Sequence, residues 1–153
     1  MQFLNLKIPP ALVMLLFMVA MWFVAETYAW AAVQIPSRVS IALALVLTST
    51  MLIIVAAKAF FAAKTTVNPI LPQSSTAIVT TGIYKFSRNP MYLGFLLILI
   101  GWAVFLGNVL GALFLPFFVL YMNRFQIIPE ECVLLKKFGS EYAVYLATVR
   151  RWI

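Results

Sequence analysis

The stretch NPMYLGFLLILIGWAVFLGNVLGALFLPFFVLYMNR, residues 89–124, decides the fold. From Met91 to Asn123 it carries no charged side chain. As a single helix, at 1.5 Å per residue, it would be about 50 Å long, well beyond the roughly 30 Å of bilayer hydrocarbon. Gly107-Asn108 near its middle is a turn signal. The stretch therefore reads as two short membrane helices, about 90–106 and 109–125, joined in a tight hairpin. Gly107 and Gly111 also match GxxxG, which at a turn reflects backbone geometry more than a dimer face.

Two more apolar runs lie upstream. The first, about 10–33, holds Glu26 as its single charge and is followed by no small-residue cleavage site, so it reads as a retained helix rather than a signal peptide. The second, about 38–63, has Lys58 near its end. Composition agrees with this reading. Apolar residues make up 65% of the 153 and charged residues 10%, against about 45–50% and about 25% in soluble domains. Such a chain could not hide its apolar surface in water, and it is too rich in core-forming side chains for disorder. Cys132 is alone, which excludes a disulfide scaffold. Histidine is absent, which removes an imidazole base, a histidine metal ligand and a Ser-His-Asp triad, and no metal site is expected. The expected class is an all-α integral membrane protein of one domain, 1–153. It has four transmembrane helices, including the tight C-terminal hairpin, plus short interfacial helices.

Basic residues give the expected orientation. Lys64, Lys85 and Arg88 fall in the polar segment 64–89, and Arg124, Lys136, Lys137, Arg150 and Arg151 toward the C-terminus. The first loop offers only Arg38 and the hairpin turn none. Positive-inside reasoning then places both termini, segment 64–89 and segment 126–153 in the cytoplasm, as four crossings require. The net charge of +7 is a topological and lipid-surface signal, and no nucleic-acid partner is needed to explain it. Turn clusters punctuate the middle segment at Asn68-Pro69, residues 71–75 and residues 80–82. After the last crossing, Pro129-Glu130-Glu131 reads as the start of a further helix that stops at Gly139. Ser140 caps a last short one, with Tyr142, Tyr145, Leu146 and Val149 packing on its apolar side, and Arg150, Arg151 and Trp152 are interface anchors.

The polar residues suggest where chemistry sits. Asn89 before Pro90 reads as a capped helix start. On one reading it is only a membrane insertion point with Arg88 snorkelling to phosphates. On the other, a helix N-terminus flanked by Arg88 and Lys85 holds a carboxylate or phosphate, while Tyr84 and Tyr92 face a cation or an adenine ring. Adjacent carboxylates on a helix point about 100° apart, so Glu130 and Glu131 have separate jobs. One faces a ligand and the other faces Arg124 or neighbouring backbone, unless both serve only the helix dipole. Glu26 is expected at the outer interface, and Gly94 and Gly101, seven apart, permit close helix packing.

These motifs carry a resemblance. Gly82-Ile-Tyr84-Lys-Phe-Ser-Arg88-Asn-Pro90-Met-Tyr92-Leu-Gly94, a membrane hairpin, Glu130-Glu131 and Phe138-Gly139-Ser-Glu141-Tyr142 resemble the isoprenylcysteine carboxyl methyltransferase family in order and separation. Phospholipid N-methyltransferases share part of the pattern. The resemblance covers roughly residues 64–152. It implies S-adenosylmethionine as methyl donor, S-adenosylhomocysteine as product, and a cofactor site without a Rossmann domain. It implies that Thr76, Ala77, Ile78, Val79, Tyr84, Asn89, Pro90, Met91, Tyr92 and Glu130 bind that cofactor, and that a lipid-like or prenylated acceptor enters from the bilayer. Asn89 stands where the family usually has His, and Asn cannot titrate. Gln126 stands where the eukaryotic enzymes carry Arg, with Arg124 two residues earlier. Arg124, Gln126 and Glu131 are the candidate catalytic residues by this correspondence. An amine or thiol acceptor must lose a proton, for which Glu130, Glu131 or a tyrosine is in place; a carboxylate acceptor needs no base.

Three other readings compete: a nicotinamide-dependent membrane reductase, a small four-helix exporter coupled through Glu26, and a non-catalytic relative that binds lipid or a partner.

Overall fold

The computed structural model describes residues 5–65, 68 and 70–153, so Pro69 of the expected Asn68-Pro69 turn lies outside the described residues. Among them every regular element is helical and no β-strand forms. Helix α1 spans Pro10–Thr27 and α2 spans Arg38–Ala62. Helix α3 spans Pro90–Leu106, with the bounds the sequence predicts. The chain then reverses and runs as one helical rod: α4 Val109–Ala112, α5 Phe114–Tyr121, a π turn Met122–Ile127 and α6 Ile128–Phe138. A final helix, α7, spans Ser140–Thr148.

Three helical runs are long and apolar enough to cross a membrane: Pro10–Thr27, Arg38–Ala62 and Val109–Phe138. Helix α3 is as apolar but shorter, at 17 residues. Large apolar side chains such as Leu16, Val19, Phe23, Leu47 and Met51 stand exposed on α1 and α2. Water would penalise that surface and hydrocarbon would not.

The sequence reading differs from the structure at two helix ends. The first helix stops at Thr27 rather than near residue 33, and a short 3-10 turn, Ala29–Ala31, follows it. The backbone there is used to tie the loop to the hairpin turn: Val33 N–H donates to Gly107 C=O at 2.7 Å, and Asn108 Nδ2 donates to Tyr28 C=O at 3.0 Å. Asn108 Oδ1 also accepts from Gly111 N–H, capping α4, while Gly107 takes the left-handed φ of +60° that the reversal requires. The second difference concerns the last apolar run. No separate helix starts at Pro129. The rod continues through it, because the π turn absorbs the proline's missing N–H instead of breaking the helix.

The tightest packing joins α2 to α3. A Cβ on Gly94 would collide with Ile53, and one on Gly101 would come within 3.2 Å of Ala42 C=O. The two glycines do what their spacing predicts. The central core is built from Val13 and Met21 of α1, Tyr92, Leu99 and Ala103 of α3, and Phe118, Met122 and Ile127 of the rod. Trp102 Nε1 fastens α3 to α1 through Met18 C=O at 3.0 Å.

Candidate active site at the start of α3

Asn68, residues 70–89, α6, α7 and the C-terminal tail converge on the first turn of α3 and enclose a pocket there. Of the residues expected to bind a cofactor, Ala77, Ile78, Val79, Tyr84, Asn89, Met91, Tyr92 and Glu130 line it. Two do not. Thr76 is exposed and serves the loop, with its Oγ1 donating to Lys64 C=O and its N–H donating to Thr65 Oγ1. Pro90 is buried as the first residue of α3, where its fixed φ suits the helix and its absent N–H costs nothing.

The candidate catalytic residues separate. Glu131 lines the pocket. Gln126 is buried beside it, with Nε2 3.4 Å from the Tyr92 hydroxyl. Arg124 is not among the lining residues; it is exposed, with its guanidinium 5.8 Å from the centroid of the Phe125 ring. Lys85 is exposed and outside the lining, whereas Arg88 is in it.

The adjacent carboxylates diverge as helical geometry requires. Glu130 Oε2 accepts a hydrogen bond from the Tyr92 hydroxyl at 2.9 Å. Glu131 faces two guanidiniums: Arg88 Nη2 at 3.1 Å, and Arg151, whose Nε and Nη2 reach its two oxygens at 3.2 and 2.7 Å. Its partner is therefore not Arg124. Arg151 and Trp152 also act otherwise than as free interface anchors, since Trp152 Nε1 donates to Asn123 Oδ1 at 3.1 Å.

These contacts latch the tail over the start of α3. Arg88 N–H donates to Arg150 C=O at 3.0 Å, and Arg88 Nη1 to Leu146 C=O at 2.6 Å. Asn89 Nδ2 donates to Arg151 C=O at 2.9 Å, which corrects the expected role of its side chain: it makes no cap on α3. An amide committed to the tail is unavailable to the helix end. Ser140 likewise makes no cap, and Gly139 with φ +57° ends α6 as the sequence predicts.

Phe60, Asn68, Pro72, Ser75, Ile127, Leu134, Tyr142 and Tyr145 complete the lining and were missed from sequence. Tyr142 and Tyr145 had a signal, three apart on one helix face, but read as packing residues. Phe60 meets the Tyr84 ring edge to face at 5.4 Å, and the Tyr145 hydroxyl donates to Tyr84 C=O at 2.8 Å. Burial pushes the Tyr84 and Tyr142 phenols well above their ordinary range, and the nearby carboxylates Glu130 and Glu131 add to it. Tyr145 is pushed up to about 12 by burial, with Arg88 pulling the other way. The hydrogen bonds to Glu131 hold Arg151 above its usual value. The pocket is thus walled by neutral phenols. Among the described residues no three or more His, Cys, Asp or Glu gather as a metal site would need.

Comparison with known proteins adds one family match and three relatives. A family model described as phospholipid methyltransferase matches residues 37–141, more than half of the chain. An uncharacterized protein of Haemophilus influenzae is 51% identical over 63 residues, 41% of this chain and 100% of that protein. The protein-S-isoprenylcysteine O-methyltransferases of Schizosaccharomyces pombe and Saccharomyces cerevisiae are 34% identical over 68 residues and 36% identical over 73. Those matches take in 44% and 48% of this chain but only 29% and 30% of the yeast enzymes. No solved structure matches.

Proposed function

We propose a function from one premise: the chain belongs to the phospholipid methyltransferase family. It is a multi-pass membrane methyltransferase that uses S-adenosylmethionine, releases S-adenosylhomocysteine and methylates a lipid-like or prenylated acceptor arriving through the bilayer. It crosses four times, through α1, α2, α3 and the apolar part of the rod, as one domain with both termini and the pocket on the cytoplasmic side.

The observation that carries this reading is the pairing of Glu130 with Tyr92 in an aromatic pocket that also holds an orphaned donor. Arg88 Nε is buried and has no hydrogen-bond partner, although the same guanidinium binds Glu131 and Leu146 C=O. A buried cationic N–H left unmade is costly, and a ligand carboxylate would satisfy it. The faces of Phe60, Tyr84 and Tyr142 suit a sulfonium or an adenine ring. A zwitterion with an aromatic ring fits that donor set. S-adenosylmethionine, when bound, supplies an electrophilic methyl group on a positively charged sulfur.

The chain's own residues then have three tasks. Arg88 fixes the donor's carboxylate through Nε. The phenols and Ile127 exclude water, so that orientation rather than acid catalysis provides most of the acceleration. Glu130 Oε2, the carboxylate atom held by Tyr92, receives the proton that an amine or thiol acceptor must release. Glu131 is engaged by Arg88 and Arg151 and keeps the site assembled. Gln126 in place of a cation beside Tyr92 favours an acceptor other than a prenylcysteine carboxylate.

Calorimetric titration of detergent-purified protein with S-adenosylmethionine and with NADPH tests the reading, repeated on Tyr92→Ala and Glu130→Ala. Donor binding that weakens in both variants is expected. Folded protein that takes NADPH and ignores S-adenosylmethionine would sink it in favour of a reductase. Labelled methyl transfer into membrane lipid and membrane protein then identifies the acceptor class.

A further inference from the structure

The rod holds a proline in its interior and a π turn just before it, both beside the Tyr92 cluster. In an uninterrupted α-helix the N–H of residue 129 would close the Phe125 carbonyl, but Pro129 has no N–H. The bonds slip to the wider spacing instead, with Ile128 N–H reaching back to Asn123 C=O. The Phe125 carbonyl accepts from outside the rod, from Leu6 N–H at 3.0 Å. Leu6 takes a left-handed φ of +56° there, a conformation few leucines adopt.

The register explains why such a device is useful. Phe118, Met122, Gln126 and Glu130 stand four apart. In an α-helix each four-residue step overshoots a turn by about 40°, so three steps would carry Glu130 about 120° away from the face of Phe118. Phe118 and Met122 are nonetheless fully buried, Gln126 is 3% exposed, and Glu130 reaches Tyr92 on α3. One turn lengthened by a residue takes most of that drift back. The row stays aimed at α3 from the middle of the membrane to the pocket.

We infer that Pro129 is a positioning residue, which through the π turn and the Leu6–Phe125 hydrogen bond aims Gln126 and Glu130 at the Tyr92 hydroxyl. The N-terminal turn at Leu6 is the second half of the same device. The consequence for methyl transfer rests on the function proposed above; the geometry does not.

The test uses the full chain in detergent, comparing Pro129→Ala and Leu6→Pro with the wild type. Alanine in place of Pro129 supplies the missing N–H, so the π turn relaxes. Proline in place of Leu6 removes the donor and cannot adopt a positive φ. Both variants should speed hydrogen exchange at the N-terminal turn or abolish its bond outright. Both should shift the fluorine resonance of 3-fluorotyrosine placed at position 92. Affinity for S-adenosylmethionine should fall about tenfold, the scale of one hydrogen bond to a charged group. The melting temperature of Pro129→Ala should hold or rise, since alanine is the better helix former, which a merely structural role for Pro129 would not predict. An unchanged fluorine shift and unchanged exchange in Pro129→Ala overturn the inference. Failure of the methyltransferase reading looks different: the wild type then binds no S-adenosylmethionine, while exchange and fluorine shift still show whether Pro129 sets Tyr92.

Discussion

Replacing Glu131 with Gln should loosen the C-terminal tail before it touches the membrane core. The carboxylate answers two cations, Arg88 Nη2 at 3.1 Å and Arg151 Nη2 at 2.7 Å. Side-chain exposures of 11% for Arg88 and 14% for Glu131 mark that pair as largely buried, whereas Arg151 at 32% is partly screened by water. A charged hydrogen bond in the buried pair contributes about 2 kcal/mol and the screened one about 1 kcal/mol. The amide keeps one acceptor oxygen but leaves two guanidiniums facing each other without compensation. A loss of about 3 kcal/mol is expected, or roughly 10 °C in melting temperature for a domain of this size. Thermal unfolding in detergent measures it, and hydrogen exchange over residues 146–153 locates it, because Arg88 and Asn89 hold the tail carbonyls of residues 146, 150 and 151. Combining Glu131→Gln with Arg151→Ala should cost clearly less than the two changes summed, as residues in one network do. A Glu131→Gln protein within about 0.5 kcal/mol of wild type, as found at ordinary surface sites, with the tail still protected, would refute the latch.

Three further outcomes are expected. Tyr92→Phe removes the donor to Glu130 while keeping the ring, so methyl transfer should fall by about tenfold or more, with stability lowered by about 1–2 kcal/mol; unchanged turnover would exclude a role for the pair. Gly101→Leu drives a side chain against Ala42 C=O and Leu45 Cβ, which stand 3.2 and 3.3 Å from the position of a Cβ. Backbone cannot give way cheaply, so a loss of about 1–3 kcal/mol should appear in thermal unfolding. Tyr145 is held up to about 12, above its ordinary value of about 10. A folded-state value above the unfolded one means stability that is full below about pH 10 and lost as pH rises toward 12. Alkaline unfolding should show that slope, and Tyr145→Phe should reduce it, leaving the share that Tyr84 and Tyr142 contribute.

What was legible in the sequence had local causes. Pro90 and Gly107 bound α3 because one lacks an N–H and the other tolerates positive φ, properties of single residues. The divergence of Glu130 and Glu131 follows from about 100° per residue alone. What was not legible depends on distant partners. Nothing near Asn89 says that its amide is claimed by Arg151, sixty-two residues away, and nothing near Thr27 says that the hairpin turn competes for the loop beyond it. Tyr142 and Tyr145 read as packing residues because a phenol on an apolar face has the same pattern whether it meets core or pocket. Pro129 misled for a related reason. As a local signal it starts a helix, and only the Leu6 N–H arriving from the other end of the chain shows how the helix runs through it.

The partition of the two carboxylates follows from the scarcity of charge. With four acidic residues in the whole chain, Glu26 stands exposed on α1 and Glu141 lies in the first turn of α7. The Glu130–Glu131 pair must therefore serve both assembly and chemistry. A carboxylate bridged to two guanidiniums has little room for a further donor, because its oxygens are already filled. A carboxylate held by one phenol keeps capacity for another donor. Rotation by one residue along α6 separates these environments, and the arginines that stabilise Glu131 are thereby kept off Glu130. Moving Arg88 or Arg151 onto Glu130 would strengthen the fold locally and silence the group that faces the pocket.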